Sequence, residues 1–356
     1  SSAASDVYKR QMRPLVAHAL RYALSSRRPT SQSSTWLIHP RSRLDLTPVT
    51  RASAPAARTM SSTNTAEDLT LKNVLSWFDK NAPTCLADSW DNVGLIAQSP
   101  VPKEDDNARG LFLAIDLTPA VAEELLAKPD VRVAIVYHPV IFSPIRSITM
   151  QNPLQRSILR CIAAGIHIYC PHTTLDACLG GINDWLVTGL ENAWESSHVP
   201  KPEALLRAVQ NASYEIIEPS KDDPSVGMGR AHTFAQPCSW AALIHRVKAL
   251  LRVSHVQIAP ASGVNETTQI RSIAVCAGSG GSVLRGWTDA DVYVTGEMGH
   301  HDILAANARG ISVILSNHTN TERRYLVDVL QPALSSSLPG SHVYVSERDA
   351  DPLCVA

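Results

Sequence analysis

ADVYVTGEMGHHDILAANARGISVILSNHTNTERRYL, residues 290–326, is the stretch that decides the fold. The β-branched run Asp291–Thr295 predicts a strand. Asp302–Arg309 is rich in helix formers and is followed by glycine, which predicts a helix. Ile311–Leu315 is a short apolar run of the kind found in buried strands. The order strand, helix, strand predicts an α/β unit.

The end of this stretch holds candidate metal ligands. His318 precedes Glu322 by four residues, and if the chain is helical from Thr319 onward both side chains leave the same face. An imidazole and a carboxylate held that close suit a divalent metal. The spacing alone also fits an exposed histidine and a glutamate that pairs with Arg323.

A second polar group, Glu297, His300 and His301, follows the predicted strand. In open α/β sheets, ligands bind at the carboxyl ends of strands. Adjacent histidines cannot point the same way on a regular element, so one would face the site and the other support it. A polar turn with a capping role is the alternative.

Composition limits the classes of partner. The 356 residues carry a formal net charge of −1 and 5% aromatic residues, so there is no direct nucleic-acid signature. No apolar run reaches the about 18–20 residues that span a bilayer, so no membrane association is expected. The seven cysteines form no CxxC pair, which favours a reducing compartment.

Residues 1–65 differ from the rest of the chain. Between Met12 and Met60 the segment is rich in arginine, serine and alanine, and Asp45 is its only acidic residue. This composition predicts a mitochondrial transit peptide. A disordered basic tail is the alternative, and a product that starts at Met60 would be found in the cytoplasm and nucleus.

The globular region predicts a largely parallel sheet with helices on its faces. Three apolar strands, Gly110–Asp116, Val131–Val136 and His167–Cys170, alternate with helices. Polar residues stand at successive strand ends, namely Asp116, His138 and His172. Several such residues in a row indicate a site.

Two of these positions lie in short motifs. Pro139 forces an extended backbone on His138, which aims the imidazole outward, although a lone histidine is more often structural. A helix that starts near Thr173 would place His172 and Asp176 about one turn apart. Asp176 alone could simply favour the positive helix N-terminus.

The glycine-rich loop Gly278–Ser282 joins a predicted strand to a predicted helix. Its backbone N–H groups could cradle an anion. The loop lacks the Lys-Ser/Thr ending of a P-loop and the full dinucleotide spacing. A tight turn is an equally good reading.

Six motifs in order, SWDNVGL, YHPVIF, PHTTLDA, VCAGSGGS, TGEMGHHD and HTNTER, resemble the Nif-three-like family (NGG-one-interacting factor three). The resemblance runs from Leu69 to Leu330 and implies an α/β fold of two similar lobes with mixed, largely parallel sheets flanked by helices. It implies a domain over 66–345, whose parts near 66–190 and 270–345 build a metal site, and a tail over 346–356. Bacterial members form hexamers, so a homo-oligomer, dimer or hexamer, is expected.

The resemblance also implies the ligands of one or two zinc, manganese or iron ions per chain. The metal ligands would be His138, Asp176, His318 and Glu322, with His172 close to the metals. One departure is Tyr137, which stands where bacterial members have a first metal-binding histidine. Because a phenol has a pKa of about 10, it is a poorer ligand, and a second metal would bind weakly, differently or not at all.

Two functions follow as hypotheses. The first is a metal-dependent hydrolase for a small, nucleotide-like substrate, in which His172 and His301 would move protons. The second is a non-catalytic regulator, metal chaperone or protein-interaction factor. Some family members carry a type-two GTP cyclohydrolase one label, but the sequence shows no base-recognition motif to support it.

Overall fold

The computed structural model describes residues 69–101, 109–193, 203–204, 208 and 214–356. The basic segment 1–65, with its predicted transit peptide and the start at Met60, lies outside the described residues. Within the described part of the chain, no helix is both long and apolar enough to cross a bilayer.

Strands and helices alternate along most of the chain. The helices are α1 (Leu69–Asn81), α2 (Pro119–Leu126), α3 (Pro153–Ala163), α4 (Thr173–Ala177), α5 (Ile182–Glu191), α6 (Trp240–Leu251), α7 (Gly281–Leu284), α8 (His300–Ala308), α9 (Asn320–Tyr325) and α10 (Gln331–Ser337). The strands are β1 (Gly94–Ala97), β2 (Gly110–Ala114), β3 (Val131–Val136), β4 (His167–Cys170), β5 (Tyr214–Pro219), β6 (Gly227–Ser239), β7 (Gln257–Ala259), β8 (Gln269–Cys276), β9 (Val292–Thr295), β10 (Ser312–Leu315) and β11 (Val343–Val345). A 3-10 turn (Thr84–Leu86) follows α1, and a π-helical turn (Leu326–Leu330) joins α9 to α10.

The strands form two mixed sheets. The first has the order β1-β4-β3-β2-β11, and all its pairs are parallel except β1 with β4. The second has the order β5-β6-β8-β9-β10-β7, in which only β8, β9 and β10 run parallel. Two mixed, partly parallel sheets flanked by helices confirm the predicted fold class.

Helix starts follow local chemistry that the sequence shows. The Thr118 hydroxyl accepts a 3.3 Å hydrogen bond from the backbone N–H of Val121 and caps α2. The Ser239 hydroxyl accepts a 3.2 Å bond from Ala242 and caps α6 in the same way. Serine and threonine are common at such positions because their hydroxyls satisfy the free N–H groups of a first turn.

A shared core connects the two sheets. Leu113 and Ile135 of the first sheet belong to the same buried cluster as Val275 and Val294 of the second, with Trp185 of α5 among them. Alternate residues of β2 enter a separate cluster under α2 and α3, as expected for a strand that is buried on both faces. Five of the seven cysteines are buried.

The C-terminal segment contacts the first sheet and helix α9. The backbone N–H of Ser346 donates to Leu113 at 2.8 Å, and the Asp349 carboxylate accepts from the N–H of Ile115 at 2.6 Å. Asp349 also pairs with Arg323 on α9. The domain limits expected from the sequence, 66–345 with a tail over 346–356, stay a prediction.

A fully buried ion pair fixes the turn between α4 and α5. The Arg230 guanidinium on β6 pairs with the Asp184 carboxylate on α5. Arg230 also donates to the carbonyls of Gly227 at 2.6 Å and Ala177 at 3.4 Å. The second Asp184 oxygen accepts from the N–H of Gly180 at 2.6 Å. Both the Arg230 guanidinium and the Asp184 carboxylate therefore have hydrogen-bond partners in addition to each other.

Removing one partner of this pair leaves the other charge buried. We expect Asp184→Asn to lower the free energy of unfolding by about 3 kcal/mol, measured by urea denaturation. The exposed pair of Arg160 and Glu123 provides the control, since Arg160→Gln removes a solvated interaction and changes little. Equal effects of the two substitutions would contradict this account.

Candidate metal centre

The two sheets bring their strand ends together at one point. His138 lies two residues beyond β3 of the first sheet, and His318 lies three residues beyond β10 of the second. Glu322 lies on α9. One ligand atom from each of these three residues lies within 4.8 Å of the other two. The structure thus joins three of the four predicted metal ligands, and we call them the His-His-Glu cluster.

Glu322 lies between the two imidazoles, with only 2% of its surface exposed. Its Oε2 is 3.4 Å from His138 Nε2, and its Oε1 is 3.4 Å from His318 Nε2. His138 Nε2 and Glu322 Oε2 are not aligned for a hydrogen bond, and both atoms are buried without a partner. Such atoms are costly to bury unsatisfied, and a cation between them would remove that cost.

Carboxylates hold the far side of both histidine rings. His138 Nδ1 is 3.0 Å from Asp116 Oδ1, and His318 Nδ1 is 3.0 Å from Glu297 Oε2. When Nδ1–H donates to a carboxylate, Nε2 keeps its lone pair, which is the usual arrangement of metal-binding histidine. The sequence shows Asp116 and Glu297 at strand ends but does not reveal these partners.

The charges around His138 favour a cation at its Nε2. Burial lowers the pKa of His138, but the hydrogen bond with Asp116 and the negative charges of Asp116 and Glu322 outweigh it and raise the pKa to about 10. A positive charge is therefore stable at this point of the protein.

Asp176, the fourth predicted ligand, lies outside the 4.8 Å set. Its Oδ1 accepts a 2.8 Å hydrogen bond from the hydroxyl of Tyr137. Burial and then the charge of Glu322 raise the pKa of Asp176 to about 7. Burial and the same carboxylates hold the pKa of Tyr137 well above its usual value, so Tyr137 remains a donor. Metal ligation by Asp176 stays a prediction.

Asn183 connects the backbone of Asp176 to the glycine-rich loop. Its amide nitrogen donates to the Asp176 carbonyl at 3.0 Å, and its amide oxygen accepts from the Ala277 N–H at 2.9 Å. Asn183 is fully buried on α5. One side chain thus sets the spacing between α4 and the end of β8. The sequence gives no signal for this role.

Gly278 leaves room for the cluster. Its φ is +59°, and a Cβ there would lie 2.6 Å from Glu322 Oε1 and 3.1 Å from His318 Nε2. The N–H groups of Gly278 and Gly280 donate to threonine hydroxyls, at 2.8 Å and 3.0 Å. These two N–H groups are used within the protein and are therefore not available to an anion.

His172 stands beside the cluster in a strained backbone conformation. Its φ is +35°, and such conformations cost about 1–3 kcal/mol outside glycine. Asp91 stabilises it, since Asp91 Oδ1 lies 2.7 Å from His172 Nδ1 and Oδ2 accepts from the Thr173 hydroxyl. The His172 ring centroid is 5.5 Å from that of His138. Asp91 lies 81 positions before His172, so the sequence does not show this pairing.

The His300–His301 pair starts α8, and both side chains are exposed. Their ring centroids are 5.3 Å apart, and neither residue belongs to the 4.8 Å set within the described chain. The proton-transfer role expected for His301 stays a prediction.

The donors of the cluster fit a divalent transition metal. Two neutral imidazole nitrogens and one carboxylate are typical of zinc, manganese and iron sites, and they leave further positions open. The two unpartnered buried atoms and the space kept by Gly278 support the same conclusion.

Fold and site together define a class: an α/β protein in which two mixed sheets meet at a cluster that could hold a metal ion. A sequence profile of the Duf34/NIF3 family (NGG1p interacting factor 3) matches residues 69–352. The chain belongs to the Duf34/NIF3 family, which confirms the resemblance seen in its motifs.

Eukaryotic relatives cover most of the chain. It is 42% identical over 272 residues to the protein NIF3 homolog of Schizosaccharomyces pombe, covering 75% of this chain and 91% of that protein. It is 39% identical over 276 residues to the NGG1-interacting factor 3 of Saccharomyces cerevisiae, covering 75% and 90%. It is 33% identical to human NIF3-like protein 1, covering 80% and 92%.

Solved structures share the fold. A Bacillus cereus protein related to NIF3 superposes with a TM-score of 0.62 at 20% identity, covering 80% of this chain and 98% of that one. Reduced HcgD from Methanocaldococcus jannaschii superposes with a TM-score of 0.60 at 23% identity, covering 78% and 97%.

The space at Gly278 can be tested by one added methyl group. We expect Gly278→Ala to weaken manganese or zinc binding about 10–100-fold in calorimetric titration, because the Cβ displaces two cluster atoms. Gly263→Ala is the matched control, since Gly263 also has a positive φ, +85°, but no atom within 4 Å of its added Cβ. If both variants bind metal equally, the cluster does not depend on this space.

Proposed function

We propose that this chain is a metal-dependent hydrolase that acts on a small, nucleotide-like substrate. The observation that carries the proposal is the pair of buried unpartnered atoms, His138 Nε2 and Glu322 Oε2, beside His318. Neither family membership nor the fold gives the reaction, because one fold hosts many activities. The proposal therefore rests on the chemistry of the site.

The three cluster residues would hold the metal. A divalent cation there would supply Lewis acidity and activate water at neutral pH, which is the chemistry that hydrolysis needs. Asp116 and Glu297 would fix the two imidazole rings through Nδ1.

His172 is suited to move a proton during the reaction. Its Nδ1 is paired with Asp91, which fixes the ring and leaves Nε2 to exchange a proton with a substrate. Its ring lies 5.5 Å from His138, next to the metal position. The strained backbone of His172 agrees with a functional role, since such strain is common at active sites.

Tyr137 would limit the number of tightly bound ions to one. Its hydroxyl occupies an oxygen of Asp176 and is itself a poor ligand while it remains protonated. We expect the purified protein to retain one equivalent of metal per chain, measured by elemental analysis. Tyr137→His, which replaces the donor with a ligand, should retain close to two.

Tyr137→Phe is the control for the stoichiometry. It removes the hydroxyl without adding a ligand, so the retained metal should stay at one equivalent. Two equivalents in the unmodified protein would contradict the role of Tyr137, and the cluster itself would still stand.

The reaction is tested by a screen of the manganese- or zinc-loaded protein against phosphoesters, nucleotides and cyclic amidines. We expect turnover that falls at least about 100-fold in Glu322→Gln and His318→Ala, because each loses a metal ligand. His342→Ala is the control, since this exposed histidine bonds to Asp130 outside the cluster. Turnover that survives in the cluster variants would contradict the proposal.

A second candidate is a protein-interaction factor that binds metal without catalysis. It is favoured by one observation, the name of the 39% identical Saccharomyces cerevisiae relative, NGG1-interacting factor 3. The same screen separates the two candidates. Absence of turnover, with a partner that binds Glu322→Gln as tightly as the unmodified chain, would support this second function.

A further inference from the structure

Two half-exposed aromatic side chains border the candidate metal centre. Trp90 has 53% of its surface exposed and Phe142 has 47%. Their ring centroids lie 6.3 Å apart at an angle of 53°, so the rings form an open corner. Large aromatic surfaces exposed beside a polar site are costly in water, and a bound ligand would remove that cost.

The corner is adjacent to His172. The His172 ring lies 6.2 Å from Trp90 and 6.5 Å from Phe142, and it is nearly perpendicular to both. The same ring lies 5.5 Å from His138 of the cluster. The aromatic corner, the His172 ring and the cluster therefore follow one another, at ring-centroid distances of 6.2 Å from Trp90 to His172 and 5.5 Å from His172 to His138.

Hydrogen bonds hold the corner in place. The Trp90 indole N–H donates to the Asp88 carboxylate at 3.2 Å, which restrains the ring. The Asn92 side chain donates to the Ile141 carbonyl at 2.6 Å. This second bond ties the loop of Trp90 to the loop of Phe142, although 49 positions separate the two residues that it joins. The two rings are thus positioned before a ligand arrives.

We propose that Trp90 and Phe142 bind the planar ring of a small-molecule substrate whose anionic group reaches the metal centre. The ligand ring would stack on one aromatic face and meet the edge of the other, because the two faces are not parallel. The corner thereby selects for a flat aromatic or heteroaromatic ring. This inference rests on the proposed function for the anionic end and adds the recognition of the ring.

The test compares adenosine 5′-monophosphate with ribose 5-phosphate by titration calorimetry on the manganese-loaded protein. The two probes share a phosphate and differ in the ring. We expect adenosine 5′-monophosphate to bind about 10-fold more tightly, the effect of stacking one base. Trp90→Ala and Phe142→Ala should abolish that preference, and Trp90→Phe should keep part of it.

Leu304→Ala is the matched control, since Leu304 is as exposed as Trp90, at 53%, but is an aliphatic side chain on α8 that cannot stack on a ring. It should keep the preference for the ring, and metal content should be equal in all variants. Equal affinity for the two probes, or no binding of either, would overturn the proposal.

A second copy of the chain is the competing occupant of the corner, because Ile145, Ile148 and Met150 are also exposed nearby in the sequence. If Trp90→Ala changes the sedimentation of the protein and leaves the ring preference intact, the corner is an interface and the proposal fails. If the protein binds adenosine 5′-monophosphate more tightly than ribose 5-phosphate but shows no turnover, ring binding by the corner is supported and only the proposed hydrolase activity is contradicted.

Discussion

The burial of the Glu322 carboxylate is the constraint on which the site depends. A carboxylate with 2% exposure needs cationic or hydrogen-bonding partners, and here the nearest groups are imidazoles from two different sheets. The ends of β3 and β10 must therefore lie close together, and the glycine at 278 must lack a side chain. Asp116 and Glu297 complete the arrangement by fixing the rings.

The two buried carboxylates of α5 and α9 show how a structural charge differs from a functional one. Asp184 has a guanidinium and a backbone N–H on its oxygens, so its charge is satisfied by the fold. Glu322 Oε2 has no hydrogen-bond partner, and it lies 3.4 Å from His138 Nε2, which also has none. A divalent cation bound by both atoms would satisfy them together, as the Arg230 guanidinium satisfies Asp184.

Several side chains around the cluster restrain neighbouring residues that have proposed roles in metal binding or proton transfer. Tyr137 and Asn183 restrain Asp176 through its side chain and its backbone, respectively. Asp91 restrains His172, which would otherwise relax from its positive φ. Pre-organisation of this kind is costly to the fold and is useful when a ligand must meet several groups at fixed distances.

The sequence by itself determined the α/β class and pointed to the histidines of the cluster, because local propensity, alternation and motif order can be recognised along the chain. The partners of those histidines were decided by tertiary structure. Asp91 reaches His172 across 81 positions, and Asn183 reaches Ala277 across 94, contacts that no local pattern encodes. The corner of Trp90 and Phe142 was likewise invisible in the sequence, since only folding brings the two loops together. Contacts between residues that are far apart in the sequence form only when the chain packs into its tertiary structure. For this physical reason the sequence shows the candidate residues but not their contacts.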